Sequence, residues 1–162
     1  MKNNSNIKLD LLPLERKLLR TNRIKIRDLY QYPADQLSVL LHVSPIRAME
    51  IRALVEFQRV PSIGIKFARD LISLGYYSLE DLKDIDGAGL LDELELSVGS
   101  WIDPCVEDQC RLVVYYARER DDKLNWWDFT EERKKYRIEN GYPANRPLKA
   151  WFEMDKYKKR NE

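Results

Sequence analysis

The chain of 162 residues is short of the residues on which most specialised chemistry depends, with two cysteines, one histidine and six glycines. Cys105 and Cys110 stand five positions apart in a segment of helical spacing. That separation turns their side chains roughly 140° away from each other, so no disulfide between them is expected. The one histidine, His42, is far from both cysteines in sequence. No zinc spacing can be assembled from these residues, and neither a structural metal nor a cofactor is expected. No apolar run approaches the roughly 18 residues needed to cross a bilayer, and the opening Met1–Asn6 lacks the apolar stretch of a signal peptide. The expectation is a cytoplasmic protein without a membrane partner. A nucleophile with a matched base is missing, as is a phosphate loop followed by lysine and a hydroxyl residue. The chain therefore reads as no enzyme, with no catalytic residues.

What is present is apolar material in helical register. At 44% hydrophobic residues the chain is able to bury a sizeable core, enough for one folding unit and a tail. Strict alternation never runs long enough for a sheet. Leu11, Leu14, Leu18 and Leu19 make a stripe around Pro13, a residue tolerated in a first helical turn. Short helices are expected near 26–32 and 34–41, and a longer one from Pro45 to about Gln58. Another is expected from about Ile65 to Leu74, stopped by Gly75. Ser78 and Asp81 suggest a capping box for another short helix, and Pro104 opens a long helix over Cys105–Arg118. After Asp121 come the aromatic cluster Trp126, Trp127 and Phe129, a charged helix near 130–139, a break at Gly141-Tyr142-Pro143 and a basic helix from about 147 to 159.

Two similar units appear in tandem. Shifted by 53 positions, Ile24, Ile26, Asp28, Leu29, Leu37 and Leu41 meet Tyr77, Leu79, Asp81, Leu82, Leu90 and Leu94. A shift of 59 then pairs Pro45 and Arg52 with Pro104 and Arg111. The extra residues are most simply placed in Glu95–Asp103. The expected organisation is an all-α chain. Its tandem units, about 9–58 and 59–122, form a bundle like that of SAM domains, and a helical tail over 123–162 packs on that core through its tryptophans.

The net charge of +1 hides an uneven distribution. Residues 1–72 hold thirteen Lys or Arg against seven Asp or Glu, residues 73–122 four against thirteen, and residues 123–162 eleven against seven. A basic first part attracts a phosphate backbone and an acidic middle repels it, so a nucleic-acid contact would use one face only.

The most informative stretch is Val60-Pro61-Ser62-Ile63-Gly64-Ile65-Lys66-Phe67-Ala68-Arg69-Asp70-Leu71. It resembles a helix-hairpin-helix, in which a Pro-Gly-apolar-Gly turn joins two helices, followed by a small residue four positions on and an apolar one three further. Gly64, Ala68 and Leu71 fall on those positions. The first glycine is replaced by Ser62, which resists a positive φ. Free amides at the start of the second helix are able to hold one phosphate. The resemblance implies a sequence-independent DNA-backbone contact through Ser62, Gly64, Ile65 and Lys66, with Arg59 and Arg69 as electrostatic support. The same hairpin also serves as a protein-interaction unit, so an adaptor on a nucleic-acid-processing complex is the alternative.

Val43, Ser44, Ala48, Ile51 and Leu54 repeat the pattern twenty residues earlier. There the glycine is Ser44, and Pro45 stands where a cation would help, so this copy reads as a core element. The run Leu12-Pro13-Leu14 through Ile24-Lys25-Ile26-Arg27-Asp28-Leu29 to Leu37 resembles the C-terminal domain of the bacterial RNA polymerase alpha subunit. From Phe57 to Trp127 the chain resembles bacterial pathogenicity-locus proteins, some of whose relatives carry a mitomycin-resistance label. The residues that carry this likeness are the hairpin, Ser78-Leu79-Glu80-Asp81-Leu82, Asp103-Pro104-Cys105-Val106, Val113-Val114-Tyr115-Tyr116-Ala117 and Trp126-Trp127. It implies a fold and DNA binding, and brings no catalytic chemistry.

Three other groups invite simpler readings. Cys105, near a helix N-terminus, is expected to be a buried packing residue. The acidic set Asp81, Asp84, Asp86, Asp92, Glu93 and Glu95 lacks the pattern of a calcium loop and reads as a solvated face. Trp126 and Trp127 read as anchors of the tail, and Lys156, Lys158, Lys159 and Arg160 as a charged terminus.

Overall fold

A computed structural model of the chain describes residues 6–154. The described residues are helical throughout apart from turns, loops and one isolated bridge, between Trp101 and Ala150. The chain divides into two units, Met1–Asp81 and Leu82–Glu162. No helix among the described residues is long and apolar enough to cross a membrane.

The first unit contains α1 (Pro13–Thr21), a 3-10 turn (Ile26–Gln31), α2 (Ala34–Leu41), α3 (Pro45–Gln58), α4 (Ile65–Ser73) and the 3-10 turn Glu80–Leu82, which straddles the division. Leu29, Leu37, Leu41, Ile51 and Phe57 are fully buried in its core. Each contributes about 1.5–3 kcal/mol of apolar transfer free energy. Pro13 and Pro45 stand at helix starts, where a missing amide hydrogen removes nothing. Ser44 caps α3, its hydroxyl accepting the Arg47 amide at 3.2 Å.

The first unit extends past Gln58 to Asp81. Helix α4 belongs with α3 because Val60, Ile63, Phe67, Ala68 and Leu71 are buried between them and the rest of the unit. The Glu56 carboxylate then accepts the Leu79 amide at 3.2 Å, tying the end of the unit back to α3.

The second unit contains α5 (Gly87–Val98), α6 (Cys105–Glu119), the 3-10 turn Trp126–Phe129, α7 (Thr130–Asn140) and a short 3-10 turn at Trp151–Glu153. Helix α5 is not marked by its own spacing, where glycines weaken local propensity, although the repeat aligns its Leu90 and Leu94 with Leu37 and Leu41 of α2. Tertiary packing requires one of these glycines. A Cβ on Gly87 would lie 2.8 Å from Arg111 Cγ and 2.9 Å from Arg111 Cα, so glycine allows the close approach of α5 and α6. Asp86 caps α5 by accepting the Gly89 amide at 2.8 Å.

The order of 3-10 turn, helix and longer helix occurs in both units. The extra residues of the second lie partly in the longer α5, twelve residues against eight in α2, and partly in the connection to α6. The basic helix expected from about 147 is replaced over 147–154 by irregular chain and the turn at Trp151–Glu153. Here the chain runs beside Trp101, which donates its amide to Lys149 O and accepts from Trp151 N, both at 2.9 Å. Lys156, Lys158, Lys159 and Arg160 lie outside the described residues.

Candidate nucleic-acid interface

Helix α3 ends at Gln58, and six residues separate it from the start of α4 at Ile65. The reversal is achieved at Ser62, whose φ of +58° lies in the left-handed region. The serine has therefore adopted the conformation it was expected to resist. Buried Pro61 and Ile63 on either side hold it there. Gly64 has an extended backbone, φ −103° and ψ 179°, and is the N-cap residue of α4. The left-handed turn thus falls at Ser62, and Gly64 needs no special φ.

A second feature distinguishes Gly64. It is exposed, and a Cβ placed there would touch nothing within 4 Å. No side chain caps α4. Helix geometry leaves the first amides of α4 without intrahelical partners, and the partial positive charge of the helix end is added to them. The N-terminus of α3 differs, since the Ser44 hydroxyl occupies it.

Lys66 is exposed on the first turn of α4 and Ile65 is half-buried beside it. Arg59, at the entrance to the hairpin, lies flat on Tyr30 with its guanidinium carbon 3.6 Å from the ring centroid. Its Nε is buried without a hydrogen-bond partner. Arg69, one turn into α4, forms an ion pair with Asp10. Ser62, Gly64, Ile65 and Lys66 are gathered in one turn, and beside it Arg59 lies on Tyr30 and Arg69 pairs with Asp10. Those two partners had no sequence signal. Lys8 is also fixed nearby, because its amide donates to Gln58 Oε1 at 3.0 Å and its carbonyl accepts from Gln58 Nε2 at 2.8 Å.

The same unit has an open groove of about 540 Å³ lined by Gln31, Pro33, Met49, Arg52, Tyr77 and Asp81, among others. Its cation is committed: Arg52 donates to the Tyr32 carbonyl at 3.1 Å and to Glu56 at 3.2 Å. Asp81 accepts the Tyr77 and Ser78 amides at 2.9 and 3.0 Å.

In the second unit the acidic residues are not uniformly solvated. Glu95 is fully buried, accepting Arg146 at 2.7 and 2.9 Å and the Ile102 amide at 2.9 Å. Asp92 receives Arg137 at 2.9 Å, and Arg137 also donates to fully buried Glu107 at 2.9 Å. Fully buried Asp108 takes Arg133 at 2.7 Å and the Thr130 hydroxyl at 2.8 Å. Tyr142 has the Arg146 and Arg137 guanidinium carbons 3.5 and 4.2 Å from its ring centroid. Charge complementarity between the acidic middle and the basic tail is thus internal to this unit.

Cys105 is exposed rather than buried, and Cys110 is the buried one. Even so, local desolvation and a hydrogen bond to Asp103 push the Cys105 thiol above its ordinary pKa, which disfavours a reactive thiolate. Of the tail aromatics, Phe129 is buried and lies against Tyr115 at 5.6 Å. Trp127 is half-exposed and meets Trp126 edge to face.

No curated protein and no solved structure matches the chain. Residues 50–135 match the Cdd1 family, described as pathogenicity locus. That stretch is more than half of the chain and includes the hairpin, α5, α6 and the start of α7, so the chain belongs to the pathogenicity locus family.

Proposed function

We propose that this chain is a non-catalytic, cytoplasmic, sequence-independent DNA-binding protein, and that α3 and α4 act as a helix-hairpin-helix gripping one backbone phosphate. The observation that carries this reading is the uncapped start of α4, with the exposed Gly64 leaving open space where a side chain would stand. A phosphate oxygen is able to approach amides there that a Cβ would screen. Lys66 adds a cation on the same turn. The contact is to the backbone and reads no bases, and it weakens with salt as counterions are released.

Fluorescence anisotropy with a labelled duplex at two salt concentrations tests this. Binding is expected to weaken steeply at the higher salt, and Lys66→Glu to reduce affinity by about tenfold or more. Unchanged affinity and salt slope in Lys66→Glu would overturn the hairpin contact.

A protein-interaction adaptor is the second reading. It is favoured by the apolar surface near the end of the second unit, where Leu148 is 97% and Phe152 55% exposed, with Phe152 edge-on to Trp101. Partners retained in a pull-down after nuclease digestion, and lost in Phe152→Ala, would support it.

A further inference from the structure

Several cations of the first unit are engaged by partners within it. Arg47, Arg52 and Arg69 are paired with Glu15, Glu56 and Asp10. Arg59 lies on Tyr30, and Arg16 donates to the Leu9 carbonyl. Lys17, Arg20, Arg23 and Lys25 are exposed, and among the described residues none of the four pairs with a carboxylate. They follow one another in a single segment, which has no acidic residue between Glu15 and Asp28. Arg27 continues the series, its contact with Asp28 a loose one at 4.0 Å.

Local structure does not require these charges. Helix α1 ends with its carbonyls already satisfied: Thr21 Oγ1 donates to Lys17 O at 3.0 Å and Asn22 Nδ2 to Leu18 O at 2.8 Å. The Arg23 amide donates to Arg20 O and the Ile24 amide to Leu19 O, a Schellman closure. Attraction to the helix dipole would account for Arg20 in the last turn, though not for cations beyond it.

Arg23 is the informative residue. Its φ is +56°, in the left-handed position of that closure, where glycine is the usual occupant. Arg23 thus keeps an exposed cation at a position where glycine would be less strained, as Arg120 does after α6.

The surface fits a polyanion. Within residues 17–27, Leu18, Leu19, Ile24 and Ile26 are buried or half-buried, so charge dominates the exposed face of this stretch; the exposed Leu12 and Leu14 precede it at the start of α1. The stretch runs directly into the 3-10 turn that bears Tyr30, on which Arg59 of the hairpin lies. Lys25 and Tyr30 are separated by roughly 10 Å along that turn, a distance spanning a few phosphates of one strand.

We propose that Lys17, Arg20, Arg23 and Lys25 form a second phosphate-contacting surface, extending the grip on the nucleic acid held at the hairpin. The inference rests on the hairpin reading for the identity of the polyanion. The test uses the full chain and a short labelled duplex, with anisotropy followed over a salt series. Replacing Lys17, Arg20 and Lys25 together by alanine is expected to lower affinity about tenfold and to flatten the logarithmic salt slope by about 2–3. Arg23→Gly separates charge from folding: it is expected to raise the melting temperature while weakening binding severalfold. If neither variant alters affinity or slope while Lys66→Glu abolishes binding, the second surface is overturned and the hairpin stands. Binding weakened by the triple variant and untouched by Lys66→Glu keeps the surface and overturns the hairpin. No duplex binding at low salt, whether or not phosphatidylserine vesicles are bound, overturns both.

Discussion

Ser62 holds a backbone conformation that costs an L-residue roughly 1–2 kcal/mol, although glycine would lose more conformational entropy on folding. The two effects partly cancel. Ser62→Gly is therefore expected to raise unfolding free energy by about 0.5 kcal/mol, measured by urea denaturation, and to retain duplex binding. Glu15 poses the opposite problem, a buried carboxylate that must be satisfied. It accepts Arg47 at 2.9 and 3.0 Å and the Leu12 amide at 2.8 Å. The Arg47 hydrogen bonds outweigh desolvation, and with the Leu12 amide hold its pKa below the ordinary glutamate value. A depressed folded pKa stabilises the fold fully above the unfolded pKa, and that contribution is lost as pH falls through the folded value. Stability of the wild type should therefore decline on acidification below about pH 4. Glu15→Gln should cost about 2 kcal/mol at neutral pH and flatten that decline, both read from denaturation at a series of pH values.

At the scale of elements, α7 and the chain after it are secured by arginines rather than by a continuous apolar stripe. Among its described residues α7 has none that is buried, yet Arg133 and Arg137 reach fully buried Asp108 and Glu107. Removing one partner of such a pair leaves an uncompensated buried charge. Arg137→Ala is expected to destabilise the second unit by about 3–5 kcal/mol in urea denaturation. Arg137→Lys should recover only part of this, because a single ammonium cannot reproduce the planar set of donors to Glu107, Asp92 and the Ala88 and Gly141 carbonyls. The helices whose ends bear proline or a left-stopping glycine were legible from sequence almost to the residue: α2, α3, α4 and α6 start where the spacing places them. Helix α5 was legible only through the repeat that aligns Leu90 and Leu94 with α2, since its need for Gly87 comes from Arg111 on a different helix.

Over the whole molecule, residues 1–81 carry a formal charge of +4 and residues 82–162 of −3. Arg133, Arg137 and Arg146 of the second unit are consumed by buried acids, which leaves the larger excess of positive charge in the first unit. On titration with duplex at low salt, amide chemical-shift changes are expected around Ser62–Lys66 and Lys17–Arg27 and not over residues 87–140. Shifts confined to the second unit would contradict this distribution.

Local chemistry written in the chain was sufficient for the all-helical class, most helix limits and the position of the hairpin, because periodicity, proline and turn residues act over a few neighbours. The pairing of particular charges had to await folding. Whether an arginine lies on Tyr30, reaches Glu107 or faces water depends on residues tens of positions away, and Coulomb energy and desolvation are set by those distances in space. The same acidic and basic blocks that suggested attraction to and repulsion from DNA became, in the second unit, the internal ties of a tail.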